Sequence, residues 1–163
     1  MKINLDSISD ITEYFYEFEN SMQGGNYVFS MGTVSFKYQE NDNFSLDDLK
    51  SLLKEGQQIK IGATLKETSW NETVENINNF LKYSGNVFYN PDSFLDIAPN
   101  DVHKKRIQDF WAIVKKHFKL PPAKIYKYEA QYPGSFGDYI MWEFGYVFLS
   151  NSQGLLLHAG ASD

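Results

Sequence analysis

The stretch YIMWEFGYVFLSNSQGLLLHAGASD, Tyr139 to Asp163, decides the fold. It holds two β-favouring runs, YIMWEFGYVFLS and LLLHAGASD, separated by the polar segment Asn151-Ser152-Gln153-Gly154. Asn in first place and Gly in fourth suit a type I turn, so the two runs are expected to pair as a hairpin. Side chains alternate between the faces of a strand. Ile140, Trp142, Phe144, Tyr146 and Phe148 then share one face, the obvious core side, and Met141, Glu143, Gly145, Val147 and Leu149 share the other. Glu143 is the single carboxylate in this apolar run, and it is expected to look outward beside Gly145 as an edge or contact residue. Two registers are open for the second strand. A bulge at Gly154 sends His158 to the aromatic face; without it His158 joins the Glu143 face, nearer Val147. Neither register is expected to make a Glu143–His158 pair.

Upstream of the hairpin, helical and extended patterns alternate. Leu5, Ile8, Ile11, Phe15, Phe18 and Met22 recur at three- and four-residue steps, which predicts an amphipathic helix with an acidic outer face. NYVFSMGTVSFKYQ reads as one or two strands. SLDDLKSLLKEG reads as a short helix capped by Ser45 with Asp48 three residues on, and SWNETVENINNFLKY repeats the device with Ser69 and Glu72. The second of these carries Trp70, Val74, Ile77, Phe80 and Leu81 on one face. Between them lies the strand QQIKIGATL, and after them the short strand NVFYN at residues 86–90. The longest helix is expected from about Asn100 to Phe118, with a stripe of Ile107, Phe110, Trp111, Val114 and Phe118, and Pro121-Pro122 follows it. AKIYKYEAQY is the strand before the hairpin. The order predicts a single α+β domain over residues 1–163, with a largely antiparallel sheet, about four helices packed on it and a C-terminal hairpin or meander.

Composition narrows the function classes. The chain has 163 residues, a net charge of −6 and no cysteine, which excludes thiol nucleophiles, disulfides and cysteine-ligated metals. Charge is uneven. Residues 1–100 carry 15 acids against 7 lysines, and residues 101–130 carry 8 basic residues against 3 acids. The acidic excess argues against nucleic acid as the main partner and favours a basic protein. Lys104, Lys105, Lys115, Lys116 and Lys119, on the longest helix and just beyond its end, are expected to form an ordinary solvated face. No run approaches the roughly 20 apolar residues of a membrane span, and the amino terminus lacks a signal-peptide pattern, so a cytoplasmic location is expected and no membrane partner.

Motifs for chemistry are sparse. His103 and His117 stand about 21 Å apart along one helix at 1.5 Å per residue, too far to share an ion, and His158 is alone, so no metal and no cofactor is expected. PGSFGD lacks the Gly-x-Ser-x-Gly elbow, and no phosphate-binding glycine loop occurs. Acid–base catalysis needs only two carboxylates close in space, which spacing along the chain does not reveal. A small hydrolase or transferase with an unrecognised carboxylate site is therefore an alternative, with Glu143 and His158 its least ordinary members. A host interaction module is another.

The closing segment, with the acidity, the small size, the absent cysteine and the α+β layout, resembles immunity proteins of bacterial polymorphic toxin and contact-dependent growth inhibition systems. The resemblance implies a non-enzymatic cytoplasmic inhibitor that binds a cognate toxin or nuclease domain through an acidic surface. The candidate partner-binding residues are Glu40, Asp42, Asp47, Asp48, Glu72, Glu75, Phe136 and Glu143, and no catalytic residue is assigned. Helix capping and solvated turns are the competing reading for the first six. The oligomeric state is left open.

Overall fold

A computed structural model describes residues 11–22, 28–39, 43–54, 60–82, 100–131 and 140–162. The elements run α1 (Ile11–Met22), β1 (Val28–Lys37), α2 (Leu46–Lys54), β2 (Lys60–Glu67), α3 (Trp70–Leu81), α4 (Asn100–His117), β3 (Lys124–Gln131), β4 (Ile140–Ser150) and β5 (Gln153–Ser162). The five strands form one antiparallel sheet in the order β1-β5-β4-β3-β2. This is the α+β architecture the sequence predicts. The expected strand at residues 86–90 lies outside the described residues.

The connection between β4 and β5 sets everything else. Ser150 pairs with Gln153, so the loop is only Asn151 and Ser152, with φ of 49° and 63°. Two positive φ angles define a type I′ turn, whose twist matches that of the flanking strands. The expected four-residue type I turn is therefore wrong: the ladder continues to the last residue before the loop, which a type I turn would splay. Gly154 is needed for another reason. It sits opposite Phe36 of β1, and a Cβ added to it would lie 2.0 Å from the Phe36 ring.

From this register the side chains sort into two cores. On one face Phe144, Tyr146 and Phe148 join Leu155, Leu157, Ala159 and Ala161, under Phe15, Phe18 and Met22 of α1, Ile77 and Leu81 of α3, and Phe110 and Val114 of α4. On the other face Val147, Leu149, Leu156, Phe36, Tyr126 and Tyr128 pack with Phe44 and with Leu49, Leu52 and Leu53 of α2. The second face of β4 is thus a core in its own right over half its length. Each large apolar side chain so buried contributes on the order of 1.5–3 kcal/mol.

Caps fix the short helices. At α2 the Asp48 carboxylate accepts from the Ser45 backbone N–H at 2.8 Å and from its hydroxyl, while the Asp48 N–H donates back to Ser45 Oγ at 3.3 Å. This is a complete capping box. At α3 Ser69 takes an extended conformation and accepts from the Glu72 N–H at 3.2 Å. Thr73, not Val74, is buried on its inner side. The edge strands are blunted: Glu19 of α1 accepts a hydrogen bond from the Met31 N–H of β1, and β2 changes register between Ile61 and Leu65.

The Phe36–Gly154 contact is testable. Gly154→Ala should lower unfolding free energy by about 1–3 kcal/mol, the ordinary cost of overpacking a filled core. A urea midpoint equal to that of the parent protein would show that the ring is not confined there.

Candidate functional site

Among the described residues, the predicted partner-binding acids do not form one surface. Asp47 is exposed at the start of α2, 3.6 Å from Lys50. Its neighbour Asp48 is only 7% exposed and engaged in the cap, which removes it from contact. Glu72 and Glu75 are exposed on α3, which packs on the opposite face of the sheet from α2. Glu40, Asp42 and Phe136 lie outside the described residues. What remains together is the α3 pair.

The outer side of α3 is a shallow groove of about 420 Å³ whose lining includes Trp70, Val74, Glu75, Asn78 and Lys82. Sequence periodicity assigns Trp70 and Val74 to the core, yet both are only half-buried. Trp70 lies edge-on to Trp111 at 5.2 Å and to Phe148 at 6.2 Å, so its inner edge is held while the rest of the residue borders the groove. Asn78 accepts from the Trp111 indole N–H at 2.8 Å and ties α3 to α4. The groove thus couples a rigid aromatic and an aliphatic side chain to polar neighbours, with Glu72 exposed beside them. α4 lies against it with the opposite charge: Lys104, Lys105, Lys115 and Lys116 are exposed along its length, Lys105 paired with Asp109 at 2.6 Å and Lys116 over the Tyr14 ring at 4.4 Å.

Glu143 has a different setting. His158 pairs with Gly145 on one side and Gly32 on the other, while Glu143 pairs with Gly160. His158 therefore shares the Glu143 face, and its Nε2 approaches Glu143 Oε2 to 4.0 Å. This corrects the expectation that no register brings them together. They are diagonal neighbours, a spacing that long side chains span, and Gly145 and Gly160 place nothing between them. Tyr128 closes the site. Its ring lies where a Cβ on Gly145 would be, 2.7 Å away, stands 6.2 Å from the imidazole, and its hydroxyl donates to the Leu157 carbonyl at 3.4 Å.

Burial governs the chemistry of this cluster. His158 is 3% exposed, and desolvation lowers its pKa to about 4. Desolvation raises the pKa of the half-buried Glu143, with Glu129 adding to the shift, and drives the Tyr128 phenol far above its ordinary range. At neutral pH the imidazole is uncharged, so the contact is not an ion pair. A base held so far below neutrality is a weak proton acceptor for catalysis at pH 7. Among the described residues, no three His, Asp or Glu side chains are grouped to hold a metal ion, and no helix is long and apolar enough to cross a membrane.

No protein-family model and no curated protein matches the chain. Its fold is similar to that of citrus MAF1, known from crystals in space groups C 2 2 21 and P 31 2 1. The two structures match with a TM-score of 0.56 at 12% and 11% identity, covering 93% of this chain and 98% of the MAF1 chain in each case. At that identity the likeness establishes the fold alone.

The depressed His158 pKa gives stability a defined pH dependence. The unfolded imidazole takes up its proton near pH 6.5 and the folded one only near 4, so the contribution is complete above 6.5 and is lost as pH falls toward 4. The loss is on the order of 3 kcal/mol. The raised Glu143 pKa acts with the opposite sign, favouring the folded state as its carboxyl takes up a proton. His158→Gln should flatten unfolding free energy between pH 6.5 and 4.5, measured by urea titration. Parallel profiles for variant and parent would remove His158 as the cause.

Proposed function

We propose that the chain is a non-enzymatic binding protein, most specifically a cytoplasmic immunity protein that neutralises a basic bacterial toxin or nuclease domain. The observation that carries this reading is the α3 groove, where Trp70 and Val74 are presented beside Glu72 and Glu75. Interfaces draw most of their affinity from rigid aromatic anchors set within a polar rim. Acidic neighbours steer a basic partner toward the groove and speed association. The lysines of α4 repel the same partner, so the field fixes the direction of approach as well as the place. The class of partner is taken from the resemblance of the closing segment of the sequence to toxin-immunity proteins.

The enzymatic alternative rests on the Glu143–His158 contact. It is weakened by the same geometry: the imidazole is sealed under Tyr128, and burial disfavours the charged form of both groups.

The test begins with the gene next door. An immunity gene lies directly downstream of one encoding a large secreted protein with a variable C-terminal domain, and that domain should bind this chain at low salt. Glu72→Lys with Glu75→Lys should weaken the complex at least tenfold, about 1.4 kcal/mol, mainly through the association rate. Asp47→Lys, on the opposite face, should leave it unchanged. Absence of a complex at low salt, or full-strength binding by the α3 double variant, would overturn the assignment.

A further inference from the structure

A second pocket lies away from α3, at the end of the sheet where α4 stops. Its volume is about 210 Å³, and its polar lining comes from Ser35, Lys37, His117 and Gln153, with the Phe118 ring beside them. The register explains the convergence. Ser35 and Lys37 are two apart on β1 and so share a face, and Gln153 of β5 is the direct partner of Lys37. α4 crosses that face and delivers His117 in its last turn.

We propose that this pocket binds a small oxyanion, the phosphate or carboxylate group of a small ligand. Each of its four polar side chains can donate a hydrogen bond: a hydroxyl, an ammonium, an imidazole N–H and an amide. Among the described residues, no carboxylate lines it. His117 Nε2 is buried and finds no hydrogen-bond partner among the described residues, while the ring is fixed against Tyr14 at 4.6 Å between centroids. The carbonyl end of α4 disfavours an anion by about half a charge, but Lys115 and Lys116 stand in the same turn and oppose it. Size sets the ligand class. The cavity is below the roughly 300–1,000 Å³ of sites for drug-sized molecules, so it fits an anionic group with a few attached atoms, not a nucleotide. This site is independent of the α3 groove, and among the described residues the charged side chain that lines it is the cation Lys37, in a chain of net charge −6.

The experiment is a titration of isotope-labelled protein by NMR at pH 7, with sodium phosphate, sodium acetate and sodium chloride compared at matched ionic strength. Phosphate, acetate or both should cause saturable shifts confined to Ser35, Lys37, His117, Gln153 and Gly154. Lys37→Gln, at an exposed strand end, should raise the apparent Kd tenfold or more while leaving the remaining spectrum in place, and His117→Phe should do the same. Shifts that do not saturate, that chloride reproduces, or that Lys37→Gln leaves undiminished would overturn the proposal.

Discussion

The two-residue turn at Asn151 and Ser152 is the constraint on which the structure depends. By pairing Ser150 with Gln153 it fixes which face every later residue of β5 occupies, and a slip of one residue would exchange the two faces. With the observed register, the aromatic side chains of β4 and the leucines at 155 and 157 meet α1, α3 and α4, while Val147, Leu149 and Leu156 meet α2. β1 then reads its own register from β5, placing Phe36 over Gly154 and Gly32 beside His158. The buried cluster and the pocket at Ser35, Lys37 and Gln153 inherit their geometry from that chain of pairings.

Much of this was legible in the sequence where a local rule was sufficient. Ser45 with Asp48 and Ser69 with Glu72 announced two helix starts, because capping is settled within four residues. The stripe Phe15, Phe18 and Met22, and the stripe Phe110, Val114 and Phe118, are buried as their spacing requires. Local rules failed where a distant strand decided the outcome. Gly154 looked like a turn residue but makes room for Phe36, which lies more than a hundred positions away. The contact between Glu143 and His158 depends on two glycines that face them from neighbouring strands, and no pattern within either strand contains it. The acids illustrate the same limit: their clustering along the sequence concealed that α2 and α3 lie on opposite faces of the sheet.

The molecule separates its polar groups by role. His158 and Tyr128, on strands inside the sheet, are sealed, the imidazole held uncharged and the phenol hydrogen-bonded to the Leu157 carbonyl. The two helices carry exposed charge of opposite sign, acidic at Glu72 and Glu75 of α3 and basic at Lys104, Lys105, Lys115 and Lys116 of α4. The sheet thus supports a surface whose charge changes sign between two adjacent helices, the pattern on which the proposed recognition of a basic protein rests. The proposed anion pocket lies where the basic helix meets the edge of the sheet, and it draws on the same framework.

If the β4–β5 pairing organises the fold, its amides should be the last to open. Native-state hydrogen exchange measures this directly. The amides bridging β4 and β5 between Phe144 and Phe148 and between Leu155 and Ala159 should exchange only through global unfolding, with a free energy equal to that from urea denaturation and above that of α2 and α3. Exchange of the hairpin amides through a lower-energy opening, with helices α1 and α4 still protected, would contradict the account.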